Sequence, residues 1–535
     1  MASGQATPAP AWGPLRHPVF RALWIASVAS NVGTWMQNVG AAWLMTSLTP
    51  SPTLVALVQT ATSLPFLVAA LPAGALADIV DRRKLLMAAQ GWMFLVALVL
   101  AVLTWIGAMT PALLLVLTFA LGLGLAVNLP TWQSIQPDLV PRSELPQAIA
   151  LGGVNINLSR AIGPAIGGFV IAATGPAATF LINAATFLFA LFVFSRWQGS
   201  PLDTELTERL PGAVQAGLRY VRNEPALRAV LVRAGLFMVG GSAILALLPL
   251  VARQELGVGS EGYGLLLGCF GAGAVIGAAL LPRFKHMASP NLLVGAASVV
   301  LAAATGALVL VPNPFAVGIA LLVGGVAWLS TMATLNTTAQ MVLPAWVRAR
   351  GLSVYVLVFQ SCIAAGSAGW GLVAERLGVR AALTLAAAWL MLALGASFRW
   401  RLVEGEGLDL SPSLRWPEPA VVLGVDPGEG PVLVTVEYRV APERSEKFVL
   451  EMQRFGRIRR RDGAYRWGVF RDTSDPTRYL ETFLVASWAE HLRQHERGTM
   501  ADRAIEDRVR SFNADGAPPV VTHLVLVRED GERPA

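Results

Sequence analysis

Twelve stretches of mostly apolar residues occupy most of the first 400 positions, near 19-45, 53-77, 85-108, 111-133, 146-173, 177-196, 227-252, 262-282, 288-311, 314-340, 350-374 and 380-400. Each is close to the roughly 20 residues that an α-helix needs to cross the hydrocarbon core of a bilayer. Burying so many such helices in a water-soluble core is excluded by composition. The 535 residues have a mean hydropathy of +0.56, with 54% hydrophobic and 14% charged side chains, and so describe a multi-pass membrane protein.

The basic residues give these spans a direction. Arg82, Arg83 and Lys84, then Arg142, the run from Arg196 to Arg228, Arg283 with Lys285, and Arg348 with Arg350 fall on alternate connections. The opposite connections hold chiefly Arg253, Arg376 and Arg380, so the positive-inside rule assigns both termini to the cytoplasm. Orientation in the bilayer accounts for the net charge of +7, and no nucleic-acid partner is implied. Arg16 and Arg21 precede the first span without a small-residue cleavage site, which predicts a retained helix. Cys269 and Cys362 stand alone in apolar segments and suggest neither a disulfide nor a zinc site.

The two sets of six spans match at a shift of about 203 positions: Gly74 with Gly277, Gly122 with Gly325, Pro141 with Pro344, Gly163 with Gly366, Gly168 with Gly371, and Gly175 with Gly378. Repeated halves of this kind are a transporter architecture, with substrate bound near the midplane between them. The expected organisation is a six-helix bundle over 1-196, a cytoplasmic loop over 197-225 and a second bundle over 226-402. Within the loop Leu206, Leu210, Val214 and Leu218 recur at helical spacing, which suits a surface-lying helix or a solvated linker helix.

After Arg401 the pattern changes. A linker over 403-430 leads to a soluble domain over 431-528 whose periodicity reads strand, helix, two strands, helix, strand, the ferredoxin-like βαββαβ order. The predicted fold is therefore an all-α membrane protein of twelve transmembrane helices in two pseudo-repeats, with a small cytoplasmic α+β domain.

"GALADIVDRRKLL" from Gly74 to Leu86 resembles the loop signature of the major facilitator superfamily, departing from it at Ile79 and Asp81. "GPAIGG" in span five resembles the signature of exporters in that superfamily. With "PTWQSIQPDLVPRSELPQAIAL" and "NLSRAIGP", the resemblance narrows to the branch of enterobactin exporters and macrolide-efflux-like proteins, the transmembrane secretion effectors, over residues 10-400. It implies efflux of a small molecule across the bacterial inner membrane, proton coupling, and gating roles for Gly74, Asp78, Arg82 and Arg83, and for Gly163, Pro164, Gly167 and Gly168. The glycines also permit close helix approach, and Pro164 removes a helix hydrogen bond. A plain tight crossing explains the same residues.

The tail resembles antibiotic-biosynthesis-monooxygenase-like domains, which implies pairing of two copies and leaves enzymatic modification of the cargo as an alternative. His491 and His495 share a helix face, but the HExxH order and a third ligand are missing, so no metal and no cofactor are expected. No GxxxxGK[ST] loop supports ATP-driven export.

Ionisable residues deep in a bilayer are costly and therefore informative. Every Asp and Glu before residue 400 falls in a loop or near a helix end, so a cationic cargo would find no central carboxylate. Neutral or anionic amphiphiles fit better. Arg160, about 21 Å into span five at the helical rise, is too deep to snorkel out; Arg233, nearer its helix start, is expected to snorkel. Asn31, Gln37, Asn38, Asn128, Gln133, Asn336 and Gln360 join Arg160 as candidate substrate contacts, with Gln59 and Asn157 beside them; interhelical hydrogen bonding is the alternative for each.

Overall fold

A computed structural model describes the backbone of residues 12-197, 210-403, 409-413, 426-514 and 518-527, and their side chains except at 70-79 and 210-216. The chain divides into two compact units. One combines Met1–Thr207, Leu231–Asn336 and Tyr355–Leu402; the other combines Glu208–Val230, Thr337–Val354 and Val403–Ala535.

The first unit is helical. It contains α1 (Pro18–Leu48), α2 (Pro52–Ile79), α3 (Arg82–Trp105), α4 (Pro111–Leu139), α5 (Leu145–Thr174) and α6 (Pro176–Arg196). After α7 (Leu210–Asn223) come α8 (Pro225–Leu250), α9 (Ser260–Met287), α10 (Pro290–Leu310), α11 (Pro314–Met341), α12 (Arg348–Leu377), α13 (Val379–Ala393) and the short α14 (Ala396–Arg399). Among the described residues, 11 helices are long and apolar enough to span a membrane. The helix α1 has the length as well, at 31 residues, but carries more polar side chains. Several open on a proline, whose fixed φ suits the first helical position and whose missing N–H is not needed there.

The glycine register of the sequence reappears as geometry. Gly163 of α5 packs on Val32 and Trp35 of α1, and Gly366 of α12 packs on Val239 and Ser242 of α8. Gly122 of α4 meets Thr62 and Pro65 of α2, and Gly325 of α11 meets Phe270 and Ala274 of α9. Gly168 of α5 lies against Ser260, Glu261 and Gly264 of α9, while Gly371 of α12 lies against Pro52, Thr53 and Ala56 of α2. Gly175 and Gly378, in the α5-α6 and α12-α13 turns, have φ of 86° and 89°, a region costly for residues with a Cβ.

The second unit gathers α7, the segment 337-354 and the tail. Four antiparallel strands, β1 (Val432–Arg439), β2 (Tyr465–Arg471), β3 (Arg478–Val485) and β4 (Val520–Val525), stand in the order β2-β3-β1-β4. Helices α15 (Ser445–Asp462), α16 (Trp488–Arg497) and α17 (Met500–Arg510) complete it. Val432, Val434, Val436 and Tyr438 alternate inward along β1 and pack with Phe448, Met452 and Phe455 of α15. A reciprocal cap between Thr499 and Asp502 starts α17.

Buried charge ties the parts of this unit together. The Arg461 guanidinium bonds Asp462 at 2.8 Å, Asp502 at 2.7 Å and Glu224 at 3.3 Å, and lies 5.5 Å from the Tyr220 ring centre. Arg497 bonds Glu490 at 2.7 Å and covers Trp346 at 4.7 Å, and Arg219 of α7 reaches the same Glu490 at 2.9 Å. The Tyr220 hydroxyl donates to the Val342 carbonyl at 3.1 Å. The polar linker expected over 197-225 is thus, over its described part, a helix docked on the tail.

Candidate functional site

Within the helical unit a cavity of about 480 Å³ opens among α1, α2, α4, α5, α8, α9, α11 and α12. Phe66, Tyr263, Phe270, Trp328, Met332 and Phe359 give it apolar walls, and Asn38, Gln59, Asn157, Arg160 and Gln360 supply polar groups. This mixture suits an amphiphilic molecule.

Arg160 stands on the contact between α5 and α9. Gly271 of α9 sits directly on the Arg160 and Ala161 backbone, and Gly264 on that of Pro164 and Gly168, so α5 and α9 approach main chain to main chain. The guanidinium lies 5.6 Å from the Trp35 ring centre, and its buried Nε has no hydrogen-bond partner. Among the described residues no carboxylate pairs with Arg160, and the cavity lining contains no Asp or Glu. The site therefore presents a positive charge awaiting a counter-charge.

Of the other candidates, Asn38 and Gln360 line the cavity. Asn31 donates to Asn155 at 3.1 Å, and Asn155 donates to Ser27 at 2.9 Å and accepts from Ser159 at 3.3 Å. The amide network of α1 thus runs through Asn155, a residue the sequence did not single out, whereas Asn157 donates to the Gly153 carbonyl at 2.9 Å. Gln37 is buried and accepts from Asn183 at 2.6 Å, and Asn128 accepts from Gln90 at 3.1 Å. Gln133 is exposed, and neither it nor Asn336 is in the cavity lining. Arg233 corrects its expectation. It is 5% exposed and donates to Asn291 at 2.7 Å, because Asn291, itself held by Leu402, offers an internal acceptor that makes snorkelling unnecessary.

At one end of this unit hydrogen bonds join the first six spans to the last six. Glu375 accepts from the Ser51 hydroxyl at 2.6 Å and the Thr53 amide at 3.1 Å, Thr60 donates to the Ala364 carbonyl at 2.9 Å, and Arg253 donates to Thr46 and Ser47 at 2.9 and 3.0 Å. Trp43 stacks on Tyr263 with centroids 6.0 Å apart.

At the opposite end the loop signature is partly visible. Asp81, one of the two departures from the family pattern, caps α3 by accepting from the amides of Arg83 and Lys84. Arg82 bonds Asp138 at 3.3 Å, and Arg83 donates to the carbonyls of Phe194 and Ser195. Gly74 and the Asp78 side chain lie in the stretch 70-79, outside the residues whose surroundings are described.

In the tail, a third imidazole stands beside His491 and His495. It is His523 of β4, hidden from a local search because it comes from a different element. A wider groove of about 760 Å³ along α15 and α17 is lined by Lys447, Arg454, Arg457, Arg460 and Arg508 and lacks the enclosed apolar walls of the helical cavity.

The sequence model of the transmembrane secretion effectors, a family of the major facilitator superfamily, matches residues 9-531. The chain belongs to this family. Proteins similar to it include the Staphyloferrin A transporter of Staphylococcus aureus, 26% identical over 265 residues, which are 49% of this chain and 66% of that protein. The enterobactin exporter EntS of Shigella boydii serotype 4 is 28% identical over 281 residues, 52% of this chain and 66% of that protein. The chain thus spans just under two thirds of the length of these curated relatives. In fold it is similar to a bacterial homologue of the human lysosomal transporter Spinster in an inward-facing, unoccupied conformation. The TM-score is 0.60 at 15% identity, covering 72% of this chain and 97% of that one. A bacterial homologue of the iron transporter ferroportin, also inward-facing, matches with a TM-score of 0.57 at 16% identity, over 72% and 98%. The match to the family extends over both the helical unit and the small α+β tail.

Proposed function

We propose that this protein is a secondary active exporter that carries a small amphiphilic, anionic or carbonyl-rich compound of siderophore-like chemistry out of a bacterial cytoplasm by alternating access. The observation that carries this reading is Arg160, whose guanidinium meets no carboxylate among the described residues and whose buried Nε has no hydrogen-bond partner, in a cavity whose described lining holds no Asp or Glu. An anionic or carbonyl-bearing cargo supplies the missing partner, while a cationic one would meet repulsion. The names of the relatives, a staphyloferrin A transporter and an enterobactin exporter, support a siderophore-like cargo. Asn38, Gln59 and Gln360 would hydrogen-bond its polar groups and Trp35 would stack on it. Among the described residues no carboxylate or histidine lines the cavity, and we assign no proton carrier.

Two six-helix repeats, 1-196 and 226-402, would rock against each other with both termini cytoplasmic. In that orientation the hydrogen-bonded end is the outer one, and the Gly163 to Gly168 segment closes it against α9. The tail, read as a ferredoxin-like domain, is an assembly module on this proposal. The sheet face away from its helices carries Leu433, Leu480, Leu484 and Leu524, with Phe470 59% exposed, a surface suited to a second copy.

The test compares small molecules retained and released by cells with and without the protein, then repeats the measurement with Arg160→Gln at equal membrane levels. A hydrogen bond to a charged group contributes about 1.5–3 kcal/mol, so the variant should export about tenfold less or worse at limiting cargo. Undiminished export of the same compound would remove Arg160 from the site.

A further inference from the structure

The tail holds a group of side chains that export does not use. His491 and His495 lie one turn apart on α16, and His523 lies on β4 opposite Val434, whose side chain is on the helix-covered face. Their ring centroids stand 4.6 Å apart in the His491-His495 and His491-His523 pairs, and one ligand nitrogen from each ring can be chosen so that all lie within 4.8 Å of one another. His491 is 2% exposed, and neither of its nitrogens makes a hydrogen bond of ordinary geometry, although Gln494 is close enough to favour its charged form. Native proteins seldom bury two unsatisfied polar atoms on one ring.

We propose that His491, His495 and His523 form a binding site for one divalent first-row transition metal of the kind that prefers imidazole. A tetrahedral zinc ion with Zn–N bonds of about 2.0–2.1 Å requires nitrogens about 3.3 Å apart, so turning the rings inward by about 1 Å closes the site. The rings are ready to ligate at neutral pH. Burial, with the fields of His495, His523 and Arg459, pushes His491 down to about 3; burial, with His523 and Arg459, pushes His495 down to about 4; and burial lowers His523. Arg459 opposes a cation, but it is bonded to the fully buried Glu481 at 3.3 Å, which offsets its charge. Three neutral ligands leave a fourth position for water or for an oxygen donor.

The chain has five histidines, the others being His17 and His286, which makes the site separable. Full-length protein, purified without a histidine tag and stripped with chelator, is titrated with Zn²⁺ and, separately, Co²⁺. The expected result is about one tightly held zinc per chain, visible absorption typical of four-coordinate cobalt, and slower hydrogen exchange in α16 and β4 with zinc present. His491→Gln and His523→Gln should weaken binding by at least about 100-fold, more than an outer-shell change costs, while the His17→Gln, His286→Gln double variant should keep it. Zinc that fails to bind, that binds equally to the His491→Gln and His523→Gln proteins, or that leaves α16 and β4 exchange unchanged would overturn the site and leave the rings as packing.

Discussion

A single methyl group at Gly264 tests whether the α5-α9 contact is the outer seal. Its Cβ would stand 2.5 Å from the Pro164 carbonyl oxygen and 2.8 Å from the Gly168 Cα, both main-chain atoms that cannot rotate away. Optimal separation is about 3.5–4.0 Å, so the two helices must part by roughly 1 Å. Overpacking of that size costs about 1–3 kcal/mol. Applied to the sealed state alone, it shifts the equilibrium toward the state open at that end by about 5- to 150-fold. A cysteine pair at Ser51 and Glu375, hydrogen-bonded at 2.6 Å across the same seal, reads the change once Cys269 and Cys362 are replaced by alanine. In Gly264→Ala the pair should cross-link correspondingly more slowly while the protein remains monodisperse. Unchanged cross-linking with unchanged efflux would refute the assignment of this contact as a gate.

Two further perturbations address the tail. Arg461→Met strands Asp462 and Asp502 beneath buried surface, and removing one partner from a buried pair costs about 3–5 kcal/mol; hydrogen exchange of α15 and α17 should accelerate accordingly, and a loss under 1 kcal/mol would show the cluster to be solvated. In chelator, His491 stays neutral in the folded tail down to about pH 3, whereas the unfolded chain takes up its proton near pH 6.5, so between those values the unfolded state binds more protons and stability falls with acidification. His491→Gln should remove about 2 kcal/mol of the stability lost between pH 7 and 5, measured by exchange in α16, and an identical slope in both proteins would contradict the buried neutral ring.

Much of the helical unit was readable because lipid leaves few options. Long apolar runs must be helices, and Gly175 and Gly378, legible as a matched pair in the repeat, prove to share a positive φ in equivalent turns. Arg160 was legible from depth alone. The amides were not, since Asn155 and Asn157 lie two positions apart on one helix and only their rotation about its axis decides which meets α1 and which meets the cavity. Arg233 misled because its acceptor, Asn291, begins another helix. His523 was invisible for a related reason: ligand spacing along one helix says nothing of what a later strand brings alongside.

The cluster around Arg461 has a practical consequence for anyone who trims this protein. Cutting the chain in the linker after Arg401 looks on paper like the removal of an appendage from a helical bundle. The shortened protein would keep Glu224 without its guanidinium, Trp346 without the cover of Arg497, and the otherwise 1% exposed Tyr220 without Arg461 above it. Such a truncation creates a sticky, charge-imbalanced surface on the connections leading into α8 and α12, and a loss of export in it would report that damage rather than a role of the tail in transport. Point changes at Arg461 or Arg497 are the cleaner instrument.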